Sequence, residues 1–380
     1  MTLRFGTAAR ATGTAFVAAL ALAACGNSDP ITASSSDSPS SSASDGSTDT
    51  GTGGTLSGRL TASGASSQES AMTAWIAGYQ SVQPGVTVNY DAVGSGSGRE
   101  NLLSGASQYI GSDAYLDEEE RASAAEICGA GGALNIPVYI SPIALPYNLP
   151  GVDALNLKPE TMANIFAGNI TTWNDAAIVA DNPNADLPDT EITVVHRSDD
   201  SGTTENFMEY LSAAAPDAWP HEAAAAWPIE GQEAAAQTTG VIQVVGSTEG
   251  TIGYADASAV GTLSTVAVGV GEEFVAFSPE AAAAVVDASD PADTGVEGDL
   301  ALDLARDTTE SGAYPIVLVS YHIVCTSYDD AATADIVKDF LTYVSSADGQ
   351  AAASDAAGSA PISEDLRTQI ASSIELIQAG

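Results

Sequence analysis

One short segment combines a guanidinium group, two carboxylates and a run of small residues. Arg197 is followed by Asp199 and Asp200, and the sequence SGTT at 201–204 then leads into a stretch with apolar residues at helical spacing. A helix beginning here would present free N–H groups and the positive end of its dipole to the turn. Arginine adds a planar fork of donors that matches an oxyanion. The segment therefore predicts an oxyanion site at a helix N-terminus.

Two further segments, 60–67 and 90–98, have the same order of a strand, a Gly/Ser turn and a helix. Small residues let a ligand approach the backbone, and hydroxyl groups supply additional donors. Serine and threonine at such turns also act as ordinary helix caps, which is the alternative for any single turn. Three such turns, one of them beside an arginine, favour an anion site.

Other phosphate-handling motifs do not match. A Walker A loop needs a Gly-Lys pair, and neither Lys158 nor Lys338 follows a glycine. The sequence GSGSG at 94–98 lacks the G-x-G-x-x-G spacing of dinucleotide sites, and Gly96 stands where a nucleophile elbow would need serine. These mismatches argue against nucleotide hydrolysis and against hydrolase-type acyl transfer.

The composition restricts the possible partners. The 380 residues include 10 basic and 50 acidic ones, for a net charge of −40, and 44% are hydrophobic, enough for a sizeable core. So acidic a chain disfavours nucleic acid and anionic lipid head groups as partners. The three histidines, His196, His221 and His322, lack the spacing of metal ligands, so we expect neither a metal nor another cofactor.

The N-terminal segment indicates export. Residues 1–24 combine Arg4 and Arg10 with an apolar run too short for a stable membrane span, as in a signal peptide. Residues 22–25 are LAAC, which resembles the lipobox of bacterial lipoproteins, in which the cysteine, here Cys25, is acylated. The alternative is an ordinary secretion signal followed by a chance cysteine. The next residues, 26–54, are rich in Ser, Thr, Gly and Asp, and such a flexible tether would span roughly 30 Å on average.

Two cysteines remain, Cys128 and Cys325. In an exported protein an even remainder predicts a disulfide. Two separate buried thiols are the alternative.

From residue 55 onward, segments typical of strands and helices alternate, as in an α/β protein. The long apolar stretches 133–151 and 314–325 suit a chain that crosses between two lobes and returns. The second helix is expected to begin at Arg99, after the GSGSG turn.

Several ordered segments resemble the phosphate-binding proteins of bacterial phosphate ABC transporters, from about Leu56 to the C-terminus. They are LTASGASS (60–67), GSGSG (94–98), GSDAYL (111–116), NIFAGNITTWNDAAI (164–178), NPNADLP (182–188), HRSDDSGTT (196–204), GTIGYADASA (250–259) and YPIVLVSY (314–321). The resemblance implies a two-lobed periplasmic-binding-protein-like fold of class II, with the ligand in the interlobe cleft. It also implies lobe I at 55–140 plus 312–380 and lobe II at 141–311.

The resemblance also implies a set of phosphate-binding residues. They are Ser66 and Ser67 of the first loop, Ser95 of the second, Asp113 as an acceptor, and Arg197, Ser201, Gly202 and Thr203 of the second lobe. Asp199 would hold Arg197, for which an exposed surface ion pair is the alternative. Ser67 stands where this family usually has a bulky aromatic residue. The segment 231–240 departs from the family's Gly/Asn-rich stretch, and we assign it no role.

Asp113 is the residue expected to select the ligand. Phosphate keeps at least one P–O–H group at neutral pH, which can donate to a carboxylate. Sulfate is fully ionised and would place lone pairs against lone pairs. The alternative for Asp113 is a helix cap after a strand.

The sequence therefore predicts a monomeric extracytoplasmic receptor, lipid-anchored at the cell membrane. It would capture inorganic phosphate and deliver it to permease subunits driven by an ATPase. Two other classes stay open: a phosphatase or other phosphoryl-handling enzyme on the same fold, and an adhesive or structural surface protein. His196 adjoins Arg197, but alternation along a strand points it to the other face.

Overall fold

The structure is a computed structural model that describes residues 56–380. The predicted signal peptide, Cys25 and the tether lie outside the described residues. Within the described range, no helix has both the length and the apolar character needed to span a bilayer.

The strands are short apart from two long buried ones. In chain order they are β1 (Ser57–Gly64), β2 (Gly85–Asp91), β3 (Tyr109–Ser112), β4 (Ala133–Ala144), β5 (Pro146–Asn148), β6 (Leu155–Leu157), β7 (Thr193–Arg197), β8 (Glu233–Ala235), β9 (Thr251–Gly253), β10 (Ala255–Asp256), β11 (Ser264–Val270), β12 (Glu273–Val275), β13 (Asp290–Pro291), β14 (Leu302–Asp303), β15 (Val317–Cys325), β16 (Ser327–Tyr328) and β17 (Gln378–Ala379).

The helices alternate with these strands. They are α1 (Glu69–Val82), α2 (Ser95–Leu103), α3 (Glu118–Ile127), α4 (Pro159–Phe166), α5 (Ala176–Asp181), α6 (Gly202–Ala214), α7 (Gln237–Ser247), α8 (Pro279–Asp287), α9 (Ala331–Ser345), α10 (Ala347–Ala357) and α11 (Glu364–Ile374). Two short 3₁₀ helices, Ser66–Gln68 and Ala257–Ala259, precede α1 and follow β10.

The first sheet has six strands in the order β10-β4-β15-β3-β1-β2. Strand β1 runs parallel to both β2 and β3, so the carboxyl ends of these three strands lie at one edge. Strand β15 runs antiparallel to both β3 and β4. The carboxyl ends of parallel strands are where ligands bind in open α/β sheets.

The second sheet contains β12-β11-β5-β9-β7-β8 in that order, with β6 paired to β11. Strand β7 runs parallel to β8 and β9, which again brings carboxyl ends together at one edge. Two separate sheets flanked by helices confirm the predicted α/β class.

The chain passes from the first sheet to the second almost without a loop. Strand β4 ends at Ala144 in the first sheet, and β5 begins at Pro146 in the second. All twelve residues of β4 are buried, as are all nine of β15, which explains why both read as long apolar stretches. Strand β10 pairs with the end of β4 in the first sheet.

Helix α2 begins four residues before the expected start. The prediction placed its start at Arg99, whereas the helix already includes Ser95 and Gly96. Gly94 precedes it with φ of 99°, a conformation that glycine adopts without a steric penalty. Because residues 95–98 form the first helical turn, their N–H groups belong to the helix terminus itself.

The predicted disulfide is confirmed. Cys128, which follows α3, is bonded to Cys325 at the end of β15, with an S–S distance of 2.01 Å. The bridge links residues that are 197 positions apart and ties α3 to a central strand of the first sheet.

Candidate functional site

Four helix beginnings surround the candidate site. Two come from the first sheet: the 3₁₀ helix at Ser66 that leads into α1, and α2 after β2. Two come from the second sheet: α6 after β7, and α7 after β8. The groups from the two sheets are close, because a Cβ atom added to Gly202 would lie 2.6 Å from Oγ of Ser95. Any larger residue at Gly202 would therefore separate them.

Asp113 lies at the centre of this arrangement and is 3% exposed. Its Oδ1 accepts hydrogen bonds from the hydroxyls of Ser67 and Ser320, both at 2.6 Å. Its Oδ2 accepts from the hydroxyl of Thr203 at 2.9 Å, and its backbone N–H donates to Oγ of Ser95 at 3.1 Å. The carboxylate is thus an acceptor held by donors from several elements and is not a cap of the helix that follows it.

Arg197 is paired with Asp199 as expected, and the pair is not an exposed surface contact. Arg197 is 4% exposed, and its Nε donates to Oδ1 of Asp199 at 2.8 Å while Nη2 donates to Oδ2. Burial acts to raise the pKa of Asp199, but the hydrogen bonds and charge of Arg197 lower it, with a further contribution from the N–H of Gln237. The pair uses Nε and Nη2, so Nη1 remains available to an anion.

Ser66 and Ser201 also lie at helix beginnings. The hydroxyl of Ser66 is 2.9 Å from that of Thr238, and it accepts from the N–H of Thr238 at 3.2 Å. Ser201 is the N-cap of α6, and its Oγ accepts from the N–H of Thr204 at 3.2 Å. The side chain of Ser201 is therefore an ordinary helix cap in this structure. Ser66 instead contacts α7, the helix that follows β8 of the second sheet.

The beginning of α7 also contributes to the site, although the segment 231–240 that contains it was assigned no role from the sequence. Gln237 has φ of +61°, the single positive value found for a non-glycine residue among residues 56–380. Its N–H donates to Oδ1 of Asp199 at 2.9 Å, and its side chain donates to the carbonyl of Ala92 at 2.6 Å. The Gln-Thr-Thr sequence before an apolar helical pattern could have indicated this fourth helix beginning.

Ser320 was also missed. It is a buried serine within the apolar strand β15, and its hydroxyl reaches Asp113. A polar residue inside an otherwise apolar strand was the available signal, since buried polar groups need a partner.

The other polar residues around Arg197 also have partners within the protein. Nδ1 of His196 lies 2.8 Å from the carbonyl of Arg197, the ring stacks on Trp227, and burial lowers the pKa of the imidazole. Tyr254 accepts a hydrogen bond from the N–H of Arg197 and lies 2.7 Å from the hydroxyl of Thr204. The exposed Asp200 accepts from the N–H of Gly96 through its carbonyl.

No cluster of three or more histidine, cysteine or acidic side chains placed to hold a metal ion occurs in the described part of the chain. What the site offers is one buried guanidinium, one buried carboxylate, several hydroxyls and four helix beginnings. That combination suits a small tetrahedral oxyanion that also carries a proton.

Comparisons with known proteins define the class first. The family model of the PBP superfamily domain matches residues 40–348. A high-affinity periplasmic phosphate-binding protein, solved with phosphate at pH 8.5, shares the fold with a TM-score of 0.70 at 21% identity. The match covers 83% of this chain and 93% of that protein.

Closer relatives then define the family. Phosphate-binding protein PstS 3 of Mycobacterium tuberculosis is 36% identical over 380 residues, covering 98% of this chain and 99% of the relative. Phosphate-binding protein PstS of Xylella fastidiosa is 32% identical over 298 residues, covering 76% of this chain and 78% of the relative. The chain belongs to the family of phosphate-binding proteins of bacterial phosphate ABC transporters. These relatives are named for binding, which favours a binding protein over the enzyme alternative.

Proposed function

We propose that this protein is an extracytoplasmic receptor that captures inorganic phosphate and delivers it to an ABC-type importer. The observation that carries the proposal is that a buried carboxylate and a buried guanidinium both lie beside the beginning of α2. A Cβ atom added to Gly202, which lies against Ser95, would be 2.7 Å from Cβ of Asp113, and one added to Gly94 would be 3.7 Å from Nη2 of Arg197. A guanidinium alone would bind any oxyanion, whereas an additional carboxylate favours one that can donate a proton.

Each predicted residue has a role in this proposal. Arg197 would donate to phosphate oxygens while Asp199 holds its guanidinium plane. Ser66, Ser67, Ser95 and Thr203 would donate through their hydroxyls. Ser67 and Thr203 currently direct theirs to Asp113 and would turn to the ligand. Ser201 would fix the first turn of α6, and Gly202 would allow the backbone N–H groups there to approach the anion.

The proposed location follows from the N-terminal sequence. An acylated Cys25 and a tether over 26–54 would hold the folded body outside the membrane, within reach of permease subunits and their ATPase. We propose a monomer built as two lobes, residues 55–140 plus 312–380 and residues 141–311. The ligand would lie between them.

Calorimetric titration of the full-length protein in detergent with phosphate, sulfate and arsenate tests this function. We expect saturable 1:1 binding of phosphate and of arsenate, which also keeps a proton at neutral pH. Sulfate should bind far more weakly. A folded protein that gives no binding heat with phosphate and does not protect against thermal unfolding at millimolar phosphate would contradict the proposal.

A further inference from the structure

We propose that Ser320, oriented by Gln68, is a positioning residue that sets the discrimination between protonated and fully ionised oxyanions. It would do so by occupying one oxygen of Asp113 permanently, so that the other oxygen meets the ligand's proton. This inference rests on the proposed phosphate-binding function and deepens it.

The three groups form a continuous buried chain. Nε2 of Gln68 lies 2.6 Å from Oγ of Ser320, and that hydroxyl lies 2.6 Å from Oδ1 of Asp113. Ser320 and Gln68 are both 0% exposed. Nε2 of Gln68 also lies 3.3 Å from the carbonyl of Tyr321. Because water does not reach these groups, each depends on the others for its hydrogen bonds.

The direction of this chain is set by Asp113, because a carboxylate oxygen only accepts and the hydroxyl of Ser320 must donate to it. Gln68 then presents its nitrogen to Ser320, although Oε1 of Gln68 has no hydrogen-bond partner among the described residues. The amide nitrogen of Gln68 can only donate, and it faces two oxygens, Oγ of Ser320 and the carbonyl of Tyr321. The reverse orientation would set the amide oxygen against that carbonyl. Ser320 therefore receives a hydrogen bond from Gln68 and must direct its single proton to Asp113. Oδ1 of Asp113 therefore always accepts a hydrogen bond from Ser320.

The backbone holds Ser320 where this contact is possible. Strand β15 lies between β3 and β4 in the first sheet, and its pairing with β4 shifts register between Ser320 and Tyr321. Such irregularities re-aim a side chain within a sheet. Ser67 and Thr203, in contrast, lie at helix beginnings and can rotate their hydroxyls towards an incoming anion. Of the three donors to Asp113, Ser320 alone is locked in a central strand.

This difference determines which oxygen remains for the ligand. When Ser67 and Thr203 turn to the anion, Oδ1 keeps its bond to Ser320 and Oδ2 is freed. A protonated oxyanion can then donate to Oδ2, whereas sulfate faces a carboxylate that cannot rotate away. Without Ser320 the carboxylate of Asp113 could rotate and continue to accept the hydrogen bond from the Ser67 hydroxyl. The rejection of sulfate would then be weaker.

The test compares Ser320→Ala with wild type by competition titration of phosphate, sulfate and arsenate. We expect the phosphate-to-sulfate affinity ratio to fall by about tenfold, the effect of one hydrogen bond to a charged group. The phosphate-to-arsenate ratio should stay constant because both ligands carry a proton. Ser320→Thr keeps the hydroxyl and should restore the wild-type ratio. Ser373→Ala, which removes a buried hydroxyl of α11 that donates to the carbonyl of Gly298 at 2.6 Å, is the matched control.

Gln68→Met provides a second, independent variant, whose effect on the ratio tests the inference by itself if Ser320→Ala does not fold. It removes the donor that orients Ser320, so the phosphate-to-sulfate ratio should fall by a smaller factor. In the Ser320→Ala background it should have no further effect on the ratio, because Gln68 acts through Ser320.

An unchanged ratio in Ser320→Ala, or an equal loss in Ser320→Thr, would overturn the inference. So would an equal effect of Gln68→Met with and without Ser320. These outcomes leave wild-type phosphate binding intact and are therefore distinct from failure of the proposed function, which would appear as absent binding in the wild type.

Discussion

The hydroxyl of Thr203 donates to Oδ2 of Asp113 at 2.9 Å, although the two residues are 90 positions apart. Asp113 follows β3 of the first sheet, and Thr203 lies in the first turn of α6, which follows β7 of the second. The carboxylate is therefore bonded from both sheets at once. A change at this carboxylate should alter which anion is accepted, and not affinity alone.

Asp113→Asn should weaken phosphate binding moderately and relax the rejection of sulfate. The amide oxygen can still accept, but a charge-assisted hydrogen bond becomes a neutral one, which costs about 1–2 kcal/mol. The amide N–H₂ can donate to a fully ionised oxyanion. Competition titration of phosphate against sulfate measures both effects. Asp200→Asn removes an exposed acid nearby and is the control, and an unchanged ratio in Asp113→Asn would exclude Asp113 from selectivity.

Arg197→Ala should weaken phosphate, arsenate and sulfate by similar factors, on the order of 100-fold or more for a buried charge-assisted contact. It should also leave Asp199 without its main partner. The exposed Arg59→Ala removes the same charge from the surface and should change binding little. Titration of the three anions with both variants decides between a direct contact and a general charge effect. Equal, small losses in the two variants would contradict a contact by Arg197.

Local patterns were sufficient for the elements that carry the site. The spacing from Arg197 to Thr204 predicted a helix beginning, and the resemblance implied that Asp199 holds Arg197; the structure has both the helix and the ion pair. The cysteine pairing followed from the two cysteines that remain once Cys25 is assigned to the predicted lipobox. These features depend on neighbours in sequence or on simple counting, so they could be found without coordinates.

Contacts between elements that are distant in sequence could not be predicted in the same way. Ser320 reaches Asp113 over 207 positions, and Thr238 reaches Ser66 over 172. Sequence periodicity places a residue on a face of its own element but says nothing about which distant element opposes it. The predicted start of α2 was wrong by four residues, because the glycines and serines of GSGSG have low helix propensity. In the folded protein, tertiary context overrides this propensity, and the helix begins at Ser95.

Cys25→Ala should release the protein from membranes while leaving phosphate affinity unchanged. The proposed acyl anchor and the tether precede the folded body, so anchoring and recognition should be separable. Fractionation of washed membranes followed by phosphate titration of each fraction measures both properties. Ser28→Ala changes a nearby small residue and should remain in the membrane fraction. Retention of Cys25→Ala there would contradict an anchor at this cysteine.

Reduction of the Cys128–Cys325 bridge should lower the free energy of unfolding by about 2–5 kcal/mol. The bond joins residues 197 positions apart, and its loss increases the entropy of the unfolded chain. Denaturant unfolding with and without reductant measures the difference. In the double variant Cys128→Ala/Cys325→Ala, reductant should have no effect. An equal midpoint for wild type with and without reductant would show that the bridge does not stabilise the fold.

His322 should make the fold sensitive to mild acid. Its ring is 0% exposed, both nitrogens lack a hydrogen-bond partner among the described residues, and it packs against Tyr109 and Phe340. Burial lowers the pKa of His322 to about 3, whereas the unfolded chain has the ordinary value of about 6.5. Between these two values the unfolded chain binds a proton that the folded chain does not. The free energy of unfolding should therefore fall as the pH falls through this window, by about 1.4 kcal/mol per pH unit.

His322→Phe should remove this contribution while keeping an aromatic ring in the cluster. Carboxyls such as Asp256, whose pKa burial raises to about 6, act in the opposite direction, but they contribute equally to both proteins and cancel in the comparison. Denaturant unfolding at pH 7.5 and pH 5.0 should show the variant gaining about 2 kcal/mol relative to wild type at the lower pH. Tyr109→Phe, which removes an unpartnered buried hydroxyl from the same cluster without removing an imidazole, should keep the wild-type pH dependence. If His322→Phe and wild type lose stability in parallel between these two pH values, His322 does not remain neutral in the folded protein while the unfolded chain titrates.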